Sequence, residues 1–303
     1  MGKGEAMEWK NEKPWKGLGV DVSPNLSPAE LVFKVKLDFE VTRVQSGLPI
    51  SFANEEMFQF FKSFSEYGDA TLETIGTLDN GRIVWALASL NEEFTLKEAD
   101  RVKGYLLLSS RNETRDSIEI KFAAVRSASS SMLPITSKAR NSFKNVCRRA
   151  FTAEFPFMTP NSGNFEEPMI RKTQEAIGLG REAISAFGSD AERLANKKVD
   201  DQMANRYMFD VFQPNTADKL SSIGDKEINE RADKKTRIGI EAIKMAPGQE
   251  LESAHMTAWG LLNAVTYAVD HRIGSDQDSR LRVAWFGPNA KIKKRAFELA
   301  LEL

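Results

Sequence analysis

Four cations, Lys291, Lys293, Lys294 and Arg295, crowd the first turns of residues 289–303, a segment that Gly287-Pro288 sets off as a terminal helix with Glu298 and Glu302 near its far end. A helix N-terminus already carries unpaired amide donors and the positive end of the dipole, so each cation placed there typically costs about 0.3–1 kcal/mol. Binding of a phosphate or another anion would offset that cost; the plain alternative is a solvated charged face. A second basic group lies upstream. Residues 101–150 carry eleven Lys and Arg against three acids, and the run from Lys138 through Arg140, Lys144, Arg148 and Arg149 contains no acid at all. Clustered cations of this kind are an electrostatic footprint for a phosphate backbone, or else a surface balanced by acids elsewhere in the fold. Acid–base or metal chemistry has fewer candidates: Asp270, His271, His255 and Glu113. No spacing brings a nucleophile, a base and an orienting group together, and helix neighbours such as Asp270 and His271 point about 100° apart.

Composition narrows the classes further. The chain has 303 residues, 41% hydrophobic and 28% charged, enough for a sizeable core. Its net charge of −1 requires that any nucleic-acid binding come from a local patch. A single cysteine, Cys147, excludes an internal disulfide, and His255 and His271 lack the spacing of a zinc site, so neither metal nor cofactor is expected. The N-terminal residues lack the apolar run of a secretory signal, and no stretch of about 18 apolar residues could span a bilayer. A reducing cytoplasm and no membrane partner are therefore expected.

Several elements must position these groups. Ser27-Pro28 starts a short helix to about Lys36, and Met57, Phe60, Phe61 and Phe64 lie at helical spacing within 54–67. Residues 71–90 place Asn80-Gly81 between two strand-like runs, the pattern of a type I′ hairpin. The second run, Ile83 to Ala88, is apolar throughout and so reads as a central strand covered on both faces. Residues 104–126 repeat the pattern around Asn112, which gives a four-stranded antiparallel meander. In its last strand Ile118, Ile120, Phe122, Ala124 and Arg126 share one face. Arg126 must then leave for solvent at the strand end, pair with a carboxylate, or point into a polar site. The rest is mainly helical. Ile177, Ile184, Phe187, Ala191 and Leu194 keep a helical period, as do Val199, Met203, Tyr207 and Val211, and residues 214–250 read as an exposed connection with one helix.

A helix over 252–272 carries two stripes. Leu261, Leu262, Val265, Ala268 and Val269 form its core face, while His255, Trp259, Asn263, Thr266 and Asp270 line the opposite one. Exposed helix positions favour Lys, Glu and Gln, so this second face packs on something. Two readings stay open: a buried hydrogen-bonded seam against the sheet, or a ligand-contacting surface that stacks a base on Trp259.

Islands along the chain resemble a phage and plasmid-like protein family, the domain of unknown function 932. They are Trp15 to Gly19 (WKGLG), Leu37 to Val41 (LDFEV), Asn54 to Phe60 (NEEMFQF), Thr74 to Ala88 (TIGTLDNGRIVWALA), Val125-Arg126, and Thr257 to His271 (TAWGLLNAVTYAVDH). Arg111 to Thr114 stands where a His-Asp-Gly-Ser-like turn is usual, and Ser129 to Leu133 replaces the usual Cys-Asn-Thr-Leu. The resemblance implies a cytoplasmic protein of viruses and mobile elements, associated with replication and recombination but without an assigned activity.

The expectation is an α+β protein. An N-terminal segment (1–20) precedes an antiparallel sheet core with a basic helix (21–160). A mainly helical region (161–303) then returns to the core through one late strand and a final helix. The expected function is single-stranded nucleic-acid binding or annealing by a phage-type DNA-metabolism protein, possible homo-oligomer, through Arg126, Lys138, Arg140, Lys144, Arg148, Arg149, Trp259, Asn263, Lys291, Lys293, Lys294 and Arg295. The alternatives are a structural or partner-binding subunit of a virus-encoded assembly and a metal-dependent nuclease-like enzyme.

Overall fold

Six strands pair in sequence order as an antiparallel meander: β1 (Gly19–Asp21), β2 (Thr71–Leu78), β3 (Ile83–Leu96), β4 (Asp100–Arg111), β5 (Ile118–Arg126) and β6 (Met132–Pro134). The computed structural model describes residues 19–21, 69–79, 81–111, 118–134, 166–214 and 231–303. The four expected strands are the middle four, β1 and β6 are short additions at the edges, and β3 runs on past Leu90 to Leu96. The β2–β3 turn closes as Arg82 N donates to Asp79 O at 3.1 Å. Gly81 has φ 80°, a conformation open to a residue without a Cβ, and Asp79 joins it at φ 57°. Asn80, the helices expected at 28–36 and 54–67, and the basic run 138–149 lie outside the described residues.

Ile83 to Ala88 are all buried, as a strand covered on both faces requires. One face receives α1 (Glu166–Asn196). Gly180 of that helix lies against Leu90 and Leu106, and Gly104 of β4 lies against Ile184. Trp85 points the other way by the strand period of two and meets Trp285 edge-on at 5.2 Å between ring centroids. The expected apolar stripe of α1, from Ile177 to Leu194, is buried throughout.

The helical half continues with α2 (Asp201–Phe212), α3 (Lys234–Met245), α4 (Ala258–Tyr267), a π-helical turn (Ala268–Arg272), α5 (Gln277–Phe286) and α6 (Pro288–Glu302). Capping sets several of the starts. The side chains of Asp200, Asp233, Thr257 and Asp276 each accept a hydrogen bond from a backbone amide in the first turn of the helix they precede, a contact typically worth about 1 kcal/mol. The expected late strand is instead α5. Leu281, Ala284 and Trp285 are its buried residues, and their three- and four-residue spacing makes a helical face that overrides the strand-like alternation of Leu281, Val283 and Trp285. The helix expected over 252–272 begins only at Ala258, so His255 lies ahead of it and is exposed.

Candidate functional site

The polar stripe of α4 and the π turn faces the turn between β5 and β6, and two buried ion pairs fasten it there. The first explains the cation at core parity. Arg126 is completely buried, and its Nε and Nη2 donate to the two carboxylate oxygens of Asp100, each at 2.7 Å. Asp100 Oδ2 also accepts from Ser253 Oγ at 2.7 Å and from Trp259 Nε1 at 2.9 Å. Arg126 Nη2 donates a further bond to Gly248 O at 2.7 Å. Gly248 has φ 79°, and a Cβ there would lie 2.6 Å from Ala128 Cβ and 2.9 Å from Arg126 Nη2, so glycine is required twice over. This forked, charge-assisted arrangement joins β4, β5, the 246–256 loop and α4 at one carboxylate.

The second pair lies at the other end of the stripe. Lys293 Nζ donates to Asp270 Oδ1 at 2.8 Å and to Met132 O at 3.0 Å, while Met132 N donates to Asp270 Oδ2 at 2.8 Å. Both backbone groups of Met132 are thus held by one buried pair that docks β6 between the π turn and α6. Between the two pairs, Asn263 Nδ2 donates to Trp259 O at 2.7 Å and Thr266 Oγ1 to Asn263 O at 3.0 Å.

These contacts correct part of the expected binding set. Trp259 has no exposed surface and packs on Phe187 at 6.1 Å between ring centroids, so no base can stack on it. Arg126, Asn263 and Lys293 are buried with it, their polar atoms committed mainly to the protein. Of the two readings of the stripe, the buried seam is the one observed. The reversed charge of α6 also finds a partial local explanation: two of its four cations serve neighbouring elements. Lys293 reaches β6 and the π turn, Arg295 Nη1 donates to Val211 O in the last turn of α2 at 3.0 Å, and Lys294 lies 3.4 Å from Glu298 on its own helix. Lys291 is exposed. Lys138, Arg140, Lys144, Arg148 and Arg149, like Glu113, lie outside the described residues, so no described contact joins them to α6.

Asp270 and His271 do not form a dyad. Asp270 turns to Lys293, whereas His271 stacks on Tyr267 with centroids 4.7 Å apart. Both residues lie in the π turn, which Ile273 N closes by donating to Ala268 O at 2.8 Å. Burial pushes the His271 imidazole below its ordinary value; Asp270 and a hydrogen bond with the Ser129 backbone oppose this, and Arg280 and Lys293 reinforce it. The folded protein therefore binds fewer protons here than the unfolded chain, so the stability this neutral histidine contributes is present above about pH 6.5 and is lost as pH falls through that value and below it. Thermal melts should show the wild type losing stability from pH 7.5 towards pH 5.5 by more than H271Q does, since glutamine does not titrate. Asp278, pushed up mainly by its burial, acts with the opposite sign in the carboxylate range and is common to both proteins.

Among the described residues no group of three or more His, Cys, Asp or Glu is placed to hold a metal ion, and no helix is long and apolar enough to cross a membrane. The site's other essential partners, Asp100, Ser253 and the carbonyls of Pro247 and Gly248, were not among the sequence candidates. Asp100 carries no local signal: Val102 pairs directly with Arg126, and it is this register that brings Asp100, two residues earlier on the same face, to the guanidinium.

What fold and site define together is an α+β protein whose antiparallel meander is locked to a helical half through a buried polar seam. The chain belongs to the family described as domain of unknown function (DUF932), which matches residues 51–131 and 150–285. No curated protein and no solved structure matches it. The basic run 138–149 falls between the two matched stretches.

Proposed function

We propose that the protein binds single-stranded nucleic acid, as a phage-type DNA-metabolism protein would, through Lys138, Arg140, Lys144, Arg148 and Arg149. The observation that carries this reading is how the positive charge of residues 101–150 divides. Residues 101–150 hold eleven cations against three acids. Three of these cations enter the sheet and meet acids there: Arg126 with Asp100, Arg101 with Glu93, and Lys121 with Glu119. The acid-free run adds five more in twelve residues with no local counterpart. Exposed Lys291 and Lys294 extend the candidate set, whereas Trp259, Arg126, Asn263 and Lys293 serve the scaffold. Because the run lies outside the family-matched stretches, binding through it belongs to this chain and need not extend to the family.

Fluorescence anisotropy with a labelled single-stranded oligonucleotide across a salt series tests the proposal. Five cations neutralising up to five phosphates give a log–log slope of about −3.5, so raising salt from about 50 to 200 mM should weaken binding roughly 100-fold. Reversing all five charges to glutamate should abolish binding while leaving the melting temperature close to that of the wild type. Undiminished affinity in that variant would sink the proposal, and a shallow salt slope would count equally against it.

A further inference from the structure

We infer that the exposed face of α3 is a second contact surface for the phosphate backbone of the bound strand. The inference rests on the single-stranded nucleic-acid reading above and adds to it a surface far in sequence from the run 138–149. The positions of the helix, KKTRIGIEAIKM, divide into two sides. Thr236, Gly239 and Ala242 are its buried residues, and Gly239 lies against Met208 and Phe212 of α2. At about 100° per residue, Lys234, Arg237, Glu241 and Lys244 fall in one stripe on the opposite side, about 15 Å long, and all four are exposed. Arg231 precedes the stripe and Lys235 flanks it, both exposed.

Partners decide what these cations are for. On α6, Lys293 and Arg295 bond to other elements. Among the described residues the side chains of Arg231, Lys234, Lys235, Arg237 and Lys244 make no ion pair and no hydrogen bond. Other exposed arginines do find a carboxylate: Arg101 at 2.7 Å, Arg193 at 3.5 Å and Arg206 at 3.9 Å. Asp233 and Glu241 are the acids of 231–245, and Asp233 is committed to the helix start, its carboxylate accepting from Thr236 N at 2.7 Å and from Thr236 Oγ1 at 2.8 Å. Five cations against two acids leave this surface positive in a chain of net charge −1. Lys234 and Lys235 also stand at the first two helical positions, where the dipole opposes them and an anion over the stripe offsets the cost.

The form of the surface selects the occupant. A row of separate cations matches an anion that repeats along a chain, and a nucleic-acid backbone carries one charge per nucleotide. A folded protein partner would need aromatic or aliphatic anchors, and a membrane surface a broad apolar face. Among the described residues Met245, at the end of the stripe, is the sole exposed large hydrophobic. Contacts of this kind hold and orient a strand without reading its bases.

The test is an anisotropy salt series on a labelled single strand of about 30 nucleotides, long enough to pass beyond one contact surface. The run 138–149 accounts for a log–log slope of about −3.5, so the wild type should be steeper than that on this strand. Lys234→Gln, Arg237→Gln and Lys244→Gln together should make the slope shallower by about 2 and weaken binding at 0.1 M salt by up to about 100-fold, at about 0.7 in slope per phosphate contact. Arg237→Gln alone should remove about 0.7, which keeps the inference falsifiable if the triple variant melts early. A control of equal charge change, Arg101→Gln with Arg193→Gln and Arg206→Gln, should leave the slope as it is. An unchanged slope in the folded α3 variants overturns the inference while the nucleic-acid reading stands, and so does an equal loss in the control, since net charge alone then acts. Binding to phosphatidylglycerol vesicles that the α3 variant loses, with strand binding intact, also overturns it. A wild type that binds no strand at low salt removes both the reading and the inference.

Discussion

Replacing Asp100 by alanine is expected to destabilise the protein by about 3–5 kcal/mol, the range for removing one partner of a buried ion pair. Domains typically have only about 5–15 kcal/mol in total, so the variant should unfold at much lower urea concentration or fail to accumulate as folded protein. The size follows from what remains. Arg126 would keep a buried charge with only the Pro247 and Gly248 carbonyls to meet it, and Ser253 Oγ and Trp259 Nε1 would each lose their acceptor. Arg126→Met should also destabilise, but the double variant D100L/R126M should be well above the sum of the two singles, because no charge is then stranded in the core. Urea denaturation of the three variants gives the comparison. A D100A protein within about 1 kcal/mol of wild type would mean that Arg126 finds water or another carboxylate, contrary to the closed geometry described above.

The same network shows how far the sequence could be read. The meander was legible because Asn80-Gly81 and the alternation of Ile118, Ile120, Phe122 and Ala124 are local signals, and local signals survive without tertiary information. Arg126 at core parity was legible as a problem, but its solution was not. Asp100 sits at the start of β4, and only the pairing of Val102 with Arg126 places its carboxylate beside the guanidinium. The polar stripe of α4 was read as a packed face for the right reason, the scarcity of good exposed helix formers along it. The charges of α6 misled. A cation at a helix N-terminus is unfavourable within that helix, yet Lys293 and Arg295 answer to Asp270, Met132 and Val211, which no single-helix argument can see. The strand expected before α6 failed because Leu281 to Phe286 satisfies both periods. What settles it as helix is the Asp276 cap and the burial of Leu281, Ala284 and Trp285.

Two lysines two residues apart on α6 should therefore respond to substitution with opposite signs. Lys293→Met should destabilise by about 3–5 kcal/mol, since Asp270 would remain buried as an uncompensated carboxylate. Met132 would also lose the ammonium from its carbonyl, so the damage should reach the sheet edge: its amide, which donates to Asp270, should exchange with solvent faster in K293M. Lys291→Glu, in contrast, replaces an exposed cation near the positive end of the helix dipole by an anion, and should stabilise by about 0.3–1 kcal/mol at low ionic strength, the gain fading as salt is added. If both variants destabilised, the misplaced charge of α6 would have a common cause along its whole first turn, such as a shared anion. If both were neutral, the Lys293–Asp270 pair would not hold β6 in place. Denaturation of the two variants at low and high salt separates these outcomes. The signs expected here follow from partners alone: the cation that reaches another element stabilises the fold, and the one left at the helix end works against it.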